Sequence, residues 1–96
     1  MQVQLRRYRV LAGQGEQFAR EWGESVAQLR ERHGFRVMGW LVHGSDEFVW
    51  LLEHEVPRSF EAAEAAYYAS AERQAVSPDP ARLIVEAHKD WVTVVR

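Results

Sequence analysis

The sequence predicts an α+β domain with the element order β-α-β-β-α-β. Runs rich in β-branched and aromatic residues lie near both ends and in the middle of the chain, and stretches with helical apolar spacing separate them. A length of 96 residues supports one hydrophobic core and is short for two. Apolar residues make up 47% and charged residues 27% of the chain, as in ordinary globular proteins. We therefore expect a single domain over residues 1–96.

The composition argues against several classes of protein. Twelve Lys and Arg against 14 Asp and Glu give a formal net charge of −2, which is unusual for a dedicated nucleic-acid binder. The absence of cysteine excludes disulfides, Cys-ligated metals and thiol nucleophiles. No apolar run approaches the length of a membrane-spanning helix, and the first residues resemble a strand more than a signal peptide. We expect a soluble, cytoplasmic protein that binds no nucleic acid and does not span a membrane.

The first strand and the first helix are predicted at residues 3–10 and 15–33. The strand alternates apolar and polar side chains in part of its length and is rich in β-forming residues. Gly34 lies where a left-handed residue ends a helix, which gives the neighbouring His33 a structural role at the helix end. Within the helix, apolar residues recur at intervals of four, four and three, on one stripe: Phe18, Trp22, Val26 and Leu29.

A β-hairpin, a second helix and a last strand follow. Strands are predicted at residues 35–43 and 47–55, and Ser59 is a candidate N-cap for a helix at residues 59–70. The last strand, at residues 82–95, is either continuous or interrupted at Lys89 and Asp90. This order is that of a ferredoxin-like fold, with one antiparallel sheet and both helices on one face. The side of the second helix expected to face the core is small, with two aromatic anchors: Ala62, Ala63, Ala65, Ala66 and Ala69, with Phe60 and Tyr67.

Both faces of the predicted sheet are apolar. We expect the hairpin to pair Val42 with Phe48, so that Trp40 lies opposite Trp50 on the face away from the helices. An exposed aromatic face of that size is unfavourable on a monomer, so we expect a homodimer in which two sheets face each other and enclose a cavity. In this register the small aliphatic residues pack under the helices: Val3, Leu5, Val37, Leu41, Val49, Leu51, Val85 and Ala87.

Four segments, in order along the chain, resemble NIPSNAP-type domains. Residues 5–10 (LRRYRV) are similar to the opening strand of that family, and residues 32–35 (RHGF) to the junction after its first helix. Residues 47–52 (EFVWLL) resemble its third strand, and residues 67–73 (YYASAER) the end of its second helix. The resemblance implies a dimeric α+β barrel but no agreed set of catalytic residues. Relatives of this barrel include cofactor-independent monooxygenases, small isomerases and haem-degrading enzymes.

The face predicted to line the cavity contains the candidate ligand-binding residues. Polar side chains that share a buried face with large aromatic rings need a partner, water or a ligand. An arginine there can hold a carboxylate or enolate oxygen, although interfacial ion pairs and simple core packing are open alternatives. The candidates are Tyr8, Arg6, Arg36, Trp40, Trp50, His54, Glu86 and His88.

Histidines and one carboxylate raise the question of a metal. His54, His88 and Glu86 could supply three ligands, but their spacing matches no known metal motif, so we expect no metal and no cofactor. We interpret the chain as a NIPSNAP-like homodimeric barrel protein of unassigned biochemical role that binds a small hydrophobic or aromatic molecule. The alternatives are a cofactor-independent monooxygenase or isomerase acting on a small aromatic or enolisable substrate, and a purely structural dimer. Whether the protein is an enzyme is left open by the sequence.

Overall fold

The computed structural model describes residues 2–95 and contains one four-stranded antiparallel sheet. The strands lie side by side in the order β2-β3-β1-β4, as the split β-α-β arrangement requires. The last strand is continuous through Lys89 and Asp90, so the alternative of a short fifth strand does not apply. The predicted ferredoxin-like α+β fold is confirmed. The strand bounds are β1 Gln2–Val10, β2 Phe35–Leu41, β3 Glu47–His54 and β4 Ile84–Thr93.

The first predicted helix is present, but its middle is π-helical. It begins as α1 (Gly15–Glu21), widens into a π-helical segment (Trp22–Val26) and ends as α2 (Ala27–Arg32). Gly34 follows with a φ of +86°, which confirms the predicted left-handed residue after the helix. No helix within residues 2–95 is both long and apolar enough to cross a membrane.

The second helical region corrects two expectations. A 3₁₀ turn (Pro57–Ser59) leads into α3 (Phe60–Ala69), and the Ser59 side chain makes no capping hydrogen bond. A short helix, α4 (Ala71–Gln74), and a second 3₁₀ turn (Pro80–Leu83) then precede β4. The predicted anchors Phe60 and Tyr67 are buried, and Ala63 packs against the core. The rest of the expected alanine-lined core side of α3 is wrong, because Glu64 shares the inward stripe with the two anchors. The alanines outside this stripe are exposed: Ala62, Ala65, Ala66 and Ala69.

The core lies between the sheet and the helices and is built from aromatic rings. Trp22 on the π-helical segment packs against Phe48 and Trp50 of β3, with ring centroids 5.0 and 5.4 Å apart. Phe18 adds an edge-on contact with Phe48 at 5.1 Å. Such tilted and edge-on pairs stabilise a core beyond their buried area. The four apolar residues predicted to form one helical stripe are all buried there: Phe18, Trp22, Val26 and Leu29.

The hairpin register differs by one residue from the expected one. Leu41 pairs with Phe48, Gly39 with Trp50, and Trp40 with Val49. A one-residue shift moves the side chains of one strand to the opposite face relative to its neighbour. Phe48, Trp50 and Leu52 therefore lie under the helices, so the expected partition of the two faces is wrong for β3 and for the β1 residues paired with it. It is confirmed for β2, where Val37 and Leu41 pack on the core. The face without helices, called the open face below, contains the residues Val3, Leu5, Val49 and Leu51 together with Met38 and Trp40.

Gly39 makes this register possible, because the rings of Trp22 and Phe48 lie directly over it. A Cβ atom built on Gly39 would be 2.7 Å from a Phe48 ring carbon and 2.8 Å from a Trp22 ring carbon. We expect Gly39→Ala to lower the free energy of unfolding by about 1–3 kcal/mol, because two packed rings must move. Urea denaturation followed by tryptophan fluorescence measures the loss.

Gly23, in the π-helical segment, provides the matched control. A Cβ atom there would meet nothing within 4 Å. Gly23→Ala should leave the free energy of unfolding unchanged or raise it by up to about 1 kcal/mol. Equal losses in both variants would contradict the packing argument.

Candidate functional site

Two arginine side chains are buried between the helices and the sheet. Arg6 on β1 has 0% of its surface exposed and Arg30 on α2 has 1%. Arg6 shares strand parity with Tyr8, so both point from β1 toward the helices. Arg30 follows Val26 by four residues and therefore lies on the same buried helical stripe. A core of aromatic rings thus contains two permanently charged guanidinium groups.

One carboxylate, that of Glu64 on α3, contacts both arginines. Its Oε1 accepts a short hydrogen bond from Arg6 Nη2 and a second, of 3.0 Å, from Arg30 Nη2. Both guanidinium groups also donate to the hydroxyl oxygen of Tyr68, at 3.4 Å from Arg6 and 3.1 Å from Arg30. The Gln4 side-chain oxygen accepts from Arg6 Nε at 2.6 Å. The cluster therefore holds two positive charges and one negative charge.

Burial and charge act in opposite directions on the pKa of Glu64. Burial by itself raises that pKa, but the hydrogen bonds and positive charges of Arg6 and Arg30 outweigh it and lower the pKa below its usual value. Burial raises the pKa of both Tyr8 and Tyr67 above the ordinary phenol value. At neutral pH the carboxylate is therefore ionised and the two phenols keep their protons.

Arg30 is incompletely paired. Its Nε and Nη1 atoms are buried and have no hydrogen-bond partner among the described residues. The indole nitrogen of Trp22 is also buried without a partner among these residues. The indole nitrogen of Trp50 and the hydroxyl of Tyr67 lack a well-formed hydrogen bond, although Trp50 lies near enough to Tyr8, and Arg73 to Tyr67, to offset part of the rise that burial causes in the pKa of each phenol. The Arg30 guanidinium carbon lies 3.9 Å from the ring centroid of Tyr67, a cation–π contact that offsets part of its desolvation. Most buried polar groups in proteins are hydrogen-bonded, so this concentration of free donors is unusual.

The side chains that carry these donors, Arg30, Trp22, Trp50 and Tyr67, are among those that line a cavity of about 90 Å³. That volume is roughly the space of three water molecules in the liquid. Tyr68 and Ala81 are exposed and mark the side of the cavity that faces solvent. Arg73 lies at this side too, held by a two-point ion pair with Asp79 at 3.1 and 3.2 Å. The lining residues are Tyr8, Phe18, Trp22, Val26, Arg30, Trp50, Tyr67, Tyr68, Arg73, Pro80, Ala81 and Ile84.

The residues predicted from the sequence to share one pocket separate into groups. Tyr8 and Trp50 line the cavity, and Arg6 packs over the Trp50 ring at 5.2 Å from its centroid. His54 lies at the end of β3, where it packs on the Phe35 ring at 5.0 Å and accepts from the Val56 backbone N–H at 3.1 Å.

The other four candidates are on the open face. Arg36 forms a short ion pair with Glu53 across β2 and β3. His88 and Glu86 contact each other at 2.9 Å on exposed β4, and Trp40 is 42% exposed. Within residues 2–95, no group of three His, Asp or Glu side chains is placed to hold a metal ion.

Sequence reasoning missed Arg30 and Glu64. In the sequence, Arg30 lies near the negative end of the first helix, where a cation is favourable whether or not it is buried. Its spacing of four from Val26 and eight from Trp22 was the available signal for burial. Glu64 lies near the positive end of the second helix, where a carboxylate is also favourable at the surface, so its place between Phe60 and Tyr67 on the inward stripe was the only signal for burial.

Solved structures share this fold over nearly their whole length. The chain superposes on a NIPSNAP domain protein from Burkholderia xenovorans with a TM-score of 0.83 at 16% identity, covering 99% of this chain and 95% of that one. For a NIPSNAP family protein of unknown function from Agrobacterium tumefaciens the TM-score is 0.86 at 15% identity, with 100% and 89% covered. The fold is that of NIPSNAP domain proteins. The resemblance indicated by four sequence segments is thus confirmed for the fold.

The same fold extends to a putative antibiotic biosynthesis monooxygenase from Nitrosomonas europaea. That structure gives a TM-score of 0.71 at 15% identity and covers 100% of both chains. No family model and no curated protein matches the sequence. At such low identities the comparisons describe the fold and leave the biochemical role unassigned.

The Glu64 cluster predicts a pH-dependent loss of stability. Because the pKa of Glu64 is lowered by folding, its contribution is complete above its ordinary pKa of 4.5 and is lost as the pH falls through the folded value. Glu64→Gln should reduce the free energy of unfolding by about 3 kcal/mol near neutral pH, because two buried arginines lose their counter-charge. The difference from the natural protein should shrink as the pH falls below 4.5 and through the folded pKa of Glu64. Urea denaturation at neutral pH and at one acidic pH well below 4.5 measures it.

Glu61, exposed on the same helix, is the control. Glu61→Gln should change the free energy of unfolding by less than about 0.5 kcal/mol at either pH. If Glu64→Gln behaved like this control, the carboxylate would not be balancing the buried arginines.

Proposed function

We propose that the protein is a homodimer whose subunits each bind a small organic molecule in the cavity between the helices and the sheet. The observation that supports binding is that four side chains with free, buried donors line one cavity: Arg30, Trp22, Trp50 and Tyr67. Ligand sites are typically concave and mostly apolar, with a few convergent polar groups. Aromatic walls with such donors fit that description.

The open face supports the second copy. Its centre is aliphatic, and Met38 and Trp40 add side chains that are 65% and 42% exposed. Charged residues of both signs flank this apolar centre on β1 and β4, among them Arg7, Glu86 and Asp90. A two-fold dimer requires a self-complementary patch, and an apolar centre with mixed charges beside it meets that requirement.

In this proposal the open-face candidates have an assembly role. Arg36, Trp40, Glu86 and His88 would lie between the two sheets, where they form contacts across the dimer or line the space that it encloses. The eight-stranded arrangement of a dimeric α+β barrel would result. The cytoplasmic location and the single domain over residues 1–96 are part of the proposal and rest on the sequence.

Sedimentation at micromolar concentration tests the dimer. The natural protein should sediment at twice the 11.2 kDa of one chain. Met38→Glu should raise the dimer dissociation constant by about a hundredfold or more, because it buries an unpaired charge in the apolar centre. Ala65→Glu, on the exposed side of α3, is the matched control and should remain dimeric. A natural protein that sediments as a single chain would overturn the proposed assembly.

Ligand titration followed by NMR tests the cavity. Small acids and their neutral amides, such as propionate and propionamide, are suitable probes because the cavity is small. A saturable shift of the Trp22 and Trp50 indole N–H signals is expected, whereas the exposed indoles of Trp40 and Trp91 serve as internal controls.

Ala81→Trp should abolish these shifts, since the added ring would cover the exposed side of the cavity. Ala65→Trp, which lies outside the cavity lining, should leave them unchanged. Absence of saturable shifts with every probe would favour the purely structural dimer.

A further inference from the structure

We propose that the cavity ligand is a small organic carboxylate whose oxygens accept hydrogen bonds from Arg30. The inference rests on the proposed function and names the chemical class that the cavity selects. It is supported by the charge balance of the cluster, by the kind of polar atom left free, and by the shape and lining of the cavity.

The charge balance leaves one positive charge without a partner. Arg6 and Arg30 share the single carboxylate of Glu64, while Arg73 at the solvent side is balanced by Asp79. A buried charge without a counter-charge is strongly unfavourable. A bound monovalent anion would neutralise the cluster.

Most of the free polar atoms on the side chains that line the cavity can only donate. Nε and Nη1 of Arg30 can only donate, and so can the indole nitrogens of Trp22 and Trp50. The hydroxyl of Tyr67, which is also free, can do either. Such a set of hydrogen-bond donors is best satisfied by a ligand group that has several lone pairs and no proton to donate. A carboxylate fits this requirement, whereas an amide or alcohol brings donors of its own.

The lining favours an organic anion over a hydrated inorganic one. Apart from Arg30, Arg73 and the hydroxyl and indole groups of its aromatic side chains, the cavity wall is formed by apolar groups such as Phe18, Val26, Pro80 and Ile84. These contact a hydrocarbon body well but offer nothing to the remaining oxygens of phosphate or sulfate. At about 90 Å³, the cavity admits a short acid and excludes a bulky one unless the bulk extends past Tyr68 to solvent.

The decisive experiment compares propionate with propionamide, two probes of nearly equal size and different charge. Titration of the natural protein, followed at the Trp22 and Trp50 indole signals, should give at least about tenfold tighter binding of propionate. Equal affinity for the two probes would overturn this inference and leave the proposed function standing. Binding of neither probe would contradict both. Inorganic phosphate as tight as propionate would overturn the choice of an organic acid.

Two variants extend the test, one that removes a positive charge from the cluster and one that removes its negative charge. If one of them fails to fold, the other still tests the proposal. Arg30→Met should reduce propionate binding by at least about tenfold and leave propionamide binding nearly unchanged. Glu64→Gln leaves two positive charges, so propionate should bind more tightly and should raise the melting temperature of that variant more than that of the natural protein. Propionate binding that is insensitive to both changes would refute the role of Arg30. So would binding that persists in Ala81→Trp.

Discussion

The ion cluster of Glu64 with Arg6 and Arg30 is the constraint around which the helix layer is arranged. It connects β1, α2 and α3 through one carboxylate oxygen. Neither arginine could remain in an aromatic core without it, because the desolvation of a guanidinium is expensive. The carboxylate also determines which side of α3 faces the sheet. Glu64 must point inward, so Phe60 and Tyr67 on the same stripe are buried with it, and the alanines turn to solvent.

Periodicity was sufficient to predict the order of elements and insufficient to predict the register of the hairpin. The first helix has one clear apolar stripe, and its burial follows directly from that spacing. β2 and β3 are apolar on both faces, so either register buries a comparable set of residues. The useful signal was Gly39, since a glycine within a strand indicates the close approach of another group. The Trp22 ring that needs this space is supplied by a helix 17 positions earlier in the chain, a contact that strand patterns do not encode.

The wrong hairpin register also explains why only part of the candidate site was predicted from the sequence. Arg6, Tyr8 and Trp50 belong together because all three point to the helix side, whereas the wrong register joined them to the open-face residues Trp40 and Arg36. The pairing of Arg30 with Glu64 joins residues 34 positions apart. Local spacing can indicate that each is on a buried stripe, but only the packed helices determine that they meet.

The open face of the sheet needs cover for its apolar side chains, whereas the face under the helices needs a counter-charge for Arg30. A second copy would cover the aliphatic centre of the open face, yet it would bring no charge to Arg30, which lies on the other side of the strands. The excess positive charge must therefore be balanced from within the helix–sheet layer or through its solvent side near Tyr68 and Ala81. Because α4 and the second 3₁₀ turn border that side, the segment between α3 and β4 determines what can enter. In the proposed dimer, assembly and ligand binding would therefore depend on different residues of β1: Tyr8 lines the cavity, whereas its neighbours Arg7 and Arg9 are on the open face.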